Sequence, residues 1–139
     1  MKTILLDFDG CTHPAHHDVK DRFNRVDLLD ECLRPFASKV EIVVSSSWRF
    51  EYSPSELKAL LPKGLGKLMV NVTGAAHIGA HARYNEITRY VKDYGVKDWV
   101  AIDDSGFEFP KDHPRLILCN SSVGIDIPQL KQLEDWLRL

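Results

Sequence analysis

No apolar run in this chain approaches the roughly 20 residues a bilayer-spanning helix needs. The stretch nearest the N-terminus, Ile4-Leu5-Leu6, is too short for a secretory signal. The expected location is therefore cytoplasmic, with no membrane partner. Cysteine is scarce: Cys11, Cys32 and Cys119 form an odd, scattered set without a C-x-x-C pair. That supports neither a disulfide framework nor a thiolate zinc site and fits reduced thiols. Neither sign of charge dominates, since 18 Lys and Arg face 20 Asp and Glu for a net charge of −2. The chain as a whole thus lacks the polycationic character of a non-specific nucleic-acid or membrane binder, although a local basic patch remains open. Repeats, low-complexity tracts and linkers are also lacking.

What is present is an ordinary globular composition, 44% apolar and 27% charged over 139 residues. This length suits a single domain, residues 1–139, with a substantial core. Strand-like runs alternate with helical patterns, which predicts an α/β fold around a mostly parallel sheet. Strands are expected at Thr3–Asp7, Val40–Ser45, Leu68–Val72, Trp99–Ile102 and Arg115–Leu118. The first helix should begin near Asn24 and bury Val26, Leu29, Cys32, Leu33 and Phe36. Ser53-Pro54-Ser55-Glu56 reads as a capping box with proline at the first helical position, opening a helix through Leu61 that Gly64 and Gly66 end. An amphipathic helix follows over Arg83–Tyr94, stopped by Gly95, and a last one over Pro128–Leu137.

Carboxylates gather where strands end. Asp7 and Asp9 follow the first strand at spacing i, i+2, and Asp103-Asp104 follow the fourth. At the C-terminal edge of a parallel sheet such groups converge on one crevice, where their mutual repulsion calls for a hard divalent cation with oxygen ligands, Mg²⁺. Ser45-Ser46-Ser47 closes the second strand, and Arg83 opens the helix before the fourth.

In this order the motifs ILLDFDGCT, EIVVSSSWR, Arg83 and VAIDDS resemble those of the haloacid dehalogenase (HAD) superfamily of phosphohydrolases, over roughly three quarters of the chain. Ser-Ser-Trp-Arg and the Gly10-to-Pro14 element are similar to a small capless branch associated with nucleic-acid repair. The resemblance implies a three-layer Rossmann-like sandwich without a cap domain, and a Mg²⁺-dependent phosphatase working through an aspartyl-phosphate. It implies Asp7 as nucleophile, Asp9 as general acid and base, Ser46 as a donor to a phosphoryl oxygen, and Arg83 as the countercharge. It further implies a Mg²⁺ held by Asp7, the Asp9 carbonyl and Asp104, with Asp103 adjacent. Two departures stand out: Cys11 replaces the usual Thr or Val, and the basic residue is Arg rather than Lys, so Lys67 competes with Arg83 for that role.

Asp-x-Asp-Gly can be mere turn chemistry, and three serines a polar strand end; what argues otherwise is their combination with the second acidic pair. His13, His16 and His17 read as a solvated flap beside the substrate, and His77 and His81 as loop residues. Gly64-x-Gly66-Lys67 lacks P-loop spacing. The alternative function is a non-enzymatic receiver-like or phosphate-binding signalling domain, against which the order of the acidic motifs argues. A HAD-like domain without turnover is disfavoured because every motif position is filled. Neither interval in which the superfamily inserts caps is long enough for one, so the expected substrate is a phosphate on a macromolecule, a nucleic-acid end ahead of a phosphoprotein. Arg22, Arg25, Arg49 and Lys67 are the candidate backbone contacts.

Overall fold

The computed structural model describes residues 1–139. Five strands, β1 (Lys2–Leu6), β2 (Val40–Val44), β3 (Met69–Val72), β4 (Trp99–Asp103) and β5 (Leu116–Leu118), form one sheet in the order β3-β2-β1-β4-β5. Every pairing is parallel. The helices are α1 (Val26–Leu33), α2 (Pro54–Leu60), α3 (Lys63–Leu68), α4 (Ala82–Asp93) and α5 (Ile127–Leu137).

Alternation along β1 distributes its side chains between two cores. Ile4 and Leu6 join the larger one with Leu29 and Leu33 of α1, Leu57 of α2, Leu65 of α3 and Leu133 of α5. Leu5 points the other way and packs with Val43, Ala101 and the α4 residues Ile87 and Tyr90. Helices on both faces of a parallel sheet make the three-layer α/β sandwich expected from the sequence, and no inserted unit interrupts it.

The differences lie at element ends and in one helix. Residues 63–68 are helical, where Gly64 and Gly66 were expected to end a helix. The glycines serve close packing: a Cβ on Gly64 would collide with the Asp30 carboxylate of α1, and one on Gly66 would lie 3.1 Å from the Lys58 carbonyl. The last helix opens at Ile127 because Asp126 and Gln129 form a capping box. α1 begins at Val26, after a turn in which Phe23 takes a left-handed φ of 60°. Between β3 and α4, residues 74–81 run over the surface, and a Cβ added to Gly74 or Gly79 would meet nothing.

The topology fixes what lies together. β1 is central, Leu6 pairs with Val44 on one side and Ile102 on the other, and all three strands point the same way. The residues that follow them, Asp7, Ser45-Ser46 and Asp103-Asp104, therefore share one edge, and the loop into α4 brings Arg83 to it.

Candidate active site

Asp7 sits just beyond β1 and is almost wholly buried. Its Oδ1 accepts the Phe8 N–H at 2.9 Å and lies 3.3 Å from the Arg83 guanidinium. The same guanidinium donates to Asp103 Oδ2 at 2.7 Å, so Arg83 bridges the ends of β1 and β4. Asp103 has no exposure, and its second oxygen accepts the Ser105 N–H at 3.0 Å. Asp104 also approaches Asp7: one ligand atom each from Asp7, Cys11 and Asp104 all lie within 4.8 Å of one another. Gly10 makes that approach possible, because its φ of +79° is left-handed and a Cβ there would overlap the Asp104 carboxylate.

The electrostatics of the cluster are unbalanced. Burial, first, and then the neighbouring Asp103 and Asp104 push the Asp7 carboxyl well above the usual carboxylate range, and Arg83 offsets only part of this. Burial also raises Asp103, again against Arg83. Burial works against the charge on Arg83 too, but Asp103, Asp7 and Glu86 outweigh it and hold the guanidinium more firmly protonated than usual. One guanidinium thus faces an excess of carboxylates, which is the donor chemistry a hard divalent cation requires. Burial and the adjacent Cys119 push the Cys11 thiol up, so it offers no thiolate and the usable donors are oxygens. The residues fit a Mg²⁺ held by Asp7 and Asp104.

Ser46 caps the short helical turn Ser47–Phe50, its hydroxyl accepting the Trp48 N–H at 3.2 Å and keeping its own hydrogen to donate. The Ser45 hydroxyl is buried without a partner. Lys67 is exposed on α3, next to the N-terminal end of β3, the opposite edge of the sheet from Asp7. Of the two basic candidates only Arg83 reaches the acidic cluster.

Asp9 lies at the mouth with its side chain 45% exposed, and its carboxylate groups with His13 and His17 rather than with Cys11 and Asp104. Oδ1 lies 2.8 Å from His13 Nε2, and Oδ2 accepts the Trp48 indole N–H at 3.1 Å. His13 is therefore not part of a solvated flap. Its exposure is 0%, enclosed by Phe23, Trp48 and His17, whereas His16 is exposed and His17 half-buried. Burial lowers its pKa despite the adjacent Asp9.

Arg49 also departs from expectation. Only 2% of its side chain is exposed; it pairs with Glu86 at 2.6 Å and donates to the carbonyls of Ser45, Ser46 and Gly74. Glu86 lies within 3.9 Å of Arg83 as well, so one carboxylate ties the serine loop to α4. Arg25 is held by Asp126 and the Ile125 carbonyl. Of the four cations expected to meet a nucleic-acid backbone, Arg22 alone lines the groove of about 480 Å³ that runs from Asp9 past Trp48, Phe50 and Tyr52. Glu86 and the His13–Trp48 pair were not singled out as site residues by the sequence. The signals available were His13-Pro14 immediately after the first acidic motif, and Trp48 immediately after the serines.

A family model described as the HAD domain in Swiss Army Knife RNA repair proteins matches residues 3–130. No curated protein and no solved structure gives a significant match.

Proposed function

The chain belongs to this HAD-domain family, and from that premise we propose that it is a Mg²⁺-dependent phosphatase acting through an aspartyl-phosphate on Asp7, with a nucleic-acid end as substrate. The observation that carries the reading is the convergence at one sheet edge of Asp7, Asp104, Asp103 and Arg83, with Ser46 and Asp9 beside them. HAD domains generally act as phosphohydrolases with Mg²⁺, and this is the donor set such chemistry needs.

In the proposed sequence, Asp7 attacks phosphorus while its Oδ1 is steadied by the Phe8 N–H. Asp9 protonates the departing oxygen and then takes a proton from the water that cleaves the acyl phosphate. Ser46 donates its hydroxyl hydrogen to a phosphoryl oxygen. Arg83 offsets the charge that Asp7 and the phosphoryl group share. A Mg²⁺ held by Asp7, Asp104 and the Asp9 carbonyl would keep Asp7 ionised and neutralise phosphoryl charge; Asp103 would back this set while anchoring Arg83.

Openness argues for a macromolecule. No inserted unit closes over Asp9, so selection falls to the surface around it, where Arg22 and the aromatic groove lie. The family's description, which places its members in RNA repair proteins, favours a nucleic-acid end over a phosphoprotein. A panel of phosphometabolites, phosphopeptides and 3′- or 5′-phosphorylated oligonucleotides, each with Mg²⁺ or with EDTA, tests the proposal. Expected is metal-dependent phosphate release with kcat/KM for an oligonucleotide end at least about 100-fold above any metabolite, equivalent to about 2.7 kcal/mol. A metabolite hydrolysed orders of magnitude faster would overturn the substrate assignment. A phosphoprotein stable for minutes, without turnover, would favour a receiver-like domain instead.

A further inference from the structure

The Asp9 carboxylate meets two N–H groups carried by side chains that cannot easily move. Trp48 is packed edge-on against Phe8 and Phe23 at centroid distances of 5.5 and 5.6 Å and stacked on Tyr52 at 5.5 Å. His13 is fixed by its other ring nitrogen. The Phe23 backbone N–H points at Nδ1 at 3.1 Å, and an amide N–H can only donate. Nδ1 must therefore carry the lone pair, which places the hydrogen of the neutral ring on Nε2, facing Asp9 Oδ1 at 2.8 Å. Phe23 reaches this position only by adopting φ of 60°, which is costly for a bulky residue and persists where surrounding contacts over-determine it.

Asp9, His13 and His17 could be taken for a cation site, since their ligand atoms lie within 4.8 Å of one another. The Phe23 contact argues against it, because a ring that accepts at Nδ1 has no lone pair left on Nε2 for a metal. His17 donates its Nδ1–H to the Pro14 carbonyl at 2.9 Å, so without His13 the cluster keeps only the His17 Nε2 lone pair beside the Asp9 carboxylate.

We propose that His13 and Trp48 are positioning residues that hold one Asp9 oxygen each, in the orientation from which Asp9 serves as base in hydrolysis of the aspartyl-phosphate. The inference rests on the phosphatase reading above. In that step the water oxygen bonds to phosphorus and its proton passes to Asp9. The bond from phosphorus to the Asp7 oxygen breaks with its electron pair returning to Asp7, and inorganic phosphate leaves. Asp9 retains the proton for the next leaving group. An exposed carboxylate without the two donors would sample many rotamers and meet the water in few of them.

Pre-steady-state kinetics with p-nitrophenyl phosphate separate this role from a general loss of fold. Its leaving group needs no proton, so the first turnover reports attack by Asp7 and the steady state reports hydrolysis. Trp48→Phe keeps the ring and removes the donor; His13→Leu removes the other; His13→Gln supplies an amide N–H in place of Nε2–H. For Trp48→Phe and His13→Leu, the burst of about one p-nitrophenolate per chain should keep close to its wild-type rate. The steady-state rate should fall about 10- to 100-fold, part of the usual worth of a general base, with His13→Gln recovering most of it. Parallel losses in both phases, or wild-type behaviour in both, would overturn the positioning role while leaving the phosphatase reading intact. Wild-type protein that neither turns over nor labels at Asp7 would remove that reading, and this inference with it.

Discussion

Asp7→Asn should reduce phosphate release at least about 10⁴-fold and abolish acid-stable labelling of the protein, because an amide oxygen cannot replace the attacking carboxylate. The same substitution should stabilise the protein in EDTA. Burial first, then Asp103 and Asp104, raise the Asp7 carboxyl, so the folded state keeps a proton that the unfolded chain has released. For a group raised on folding, the associated stability is present below the ordinary carboxylate value and is lost as pH rises through the raised one. Asparagine has nothing to lose in that window. The Tm of Asp7→Asn minus that of wild type should therefore be near zero at about pH 4 and grow to several degrees by about pH 8. More than a few per cent residual activity would remove Asp7 as nucleophile. A Tm difference independent of pH would show that buried charge is not what the substitution relieves.

Arg83→Ala should damage turnover and stability together. A basic residue at the start of a helix suggests from sequence alone a mainly functional effect, since it gains nothing from the helix dipole. The structure adds a cost: Arg83 donates at 2.7 Å to Asp103, a carboxylate with no exposure. Removing one partner of a buried ion pair typically costs about 3–5 kcal/mol, and proton uptake by Asp103 should hold the loss near the lower figure. Loss of the countercharge beside Asp7 should lower kcat by about 10²–10³-fold, the usual effect of removing one preorganised donor. Arg83→Lys should restore part of each, because an ammonium can serve Asp103 or Asp7 but lacks the fork that reaches both. Denaturant titration and steady-state kinetics on the two variants check both expectations. An alanine variant with wild-type activity would mean the reaction uses no basic side chain as countercharge, since Lys67 lies at the far edge of the sheet.

How far sequence could carry these conclusions depended on the range of the forces involved. The strands were legible because short apolar runs ending in turn residues are a local signal, and α4 because its apolar stripe and Gly95 are local too. α3 was not, since its glycines answer to Asp30 and Lys58 rather than to their sequence neighbours. The acidic pairs could be placed at strand ends by spacing, and one crossover rule then brings those ends together. Arg49 and His13 defeated the same approach. An isolated arginine after a serine run reads as a surface cation until Glu86, far along the chain, is seen to pair with it at 2.6 Å. A histidine beside a proline reads as a loop until Phe23 and Trp48 close over it.

The exposed segment 74–81 has a consequence for how the molecule could be remodelled. Its glycines have open space around them, Ile78 is almost wholly solvent-exposed, and it joins the site edge of β3 to the helix that carries Arg83. Chain added there costs closure entropy that grows only with the logarithm of length, and no core contact is given up. A guest module with adjacent termini, spliced between Ile78 and Gly79, should therefore fold as a roof over Asp9 with little loss in Tm. It should turn an open-access site into one that sorts by size, cutting activity on long oligonucleotides more than on p-nitrophenyl phosphate. A collapse in Tm would show the segment to be a structural strut and not a graft point.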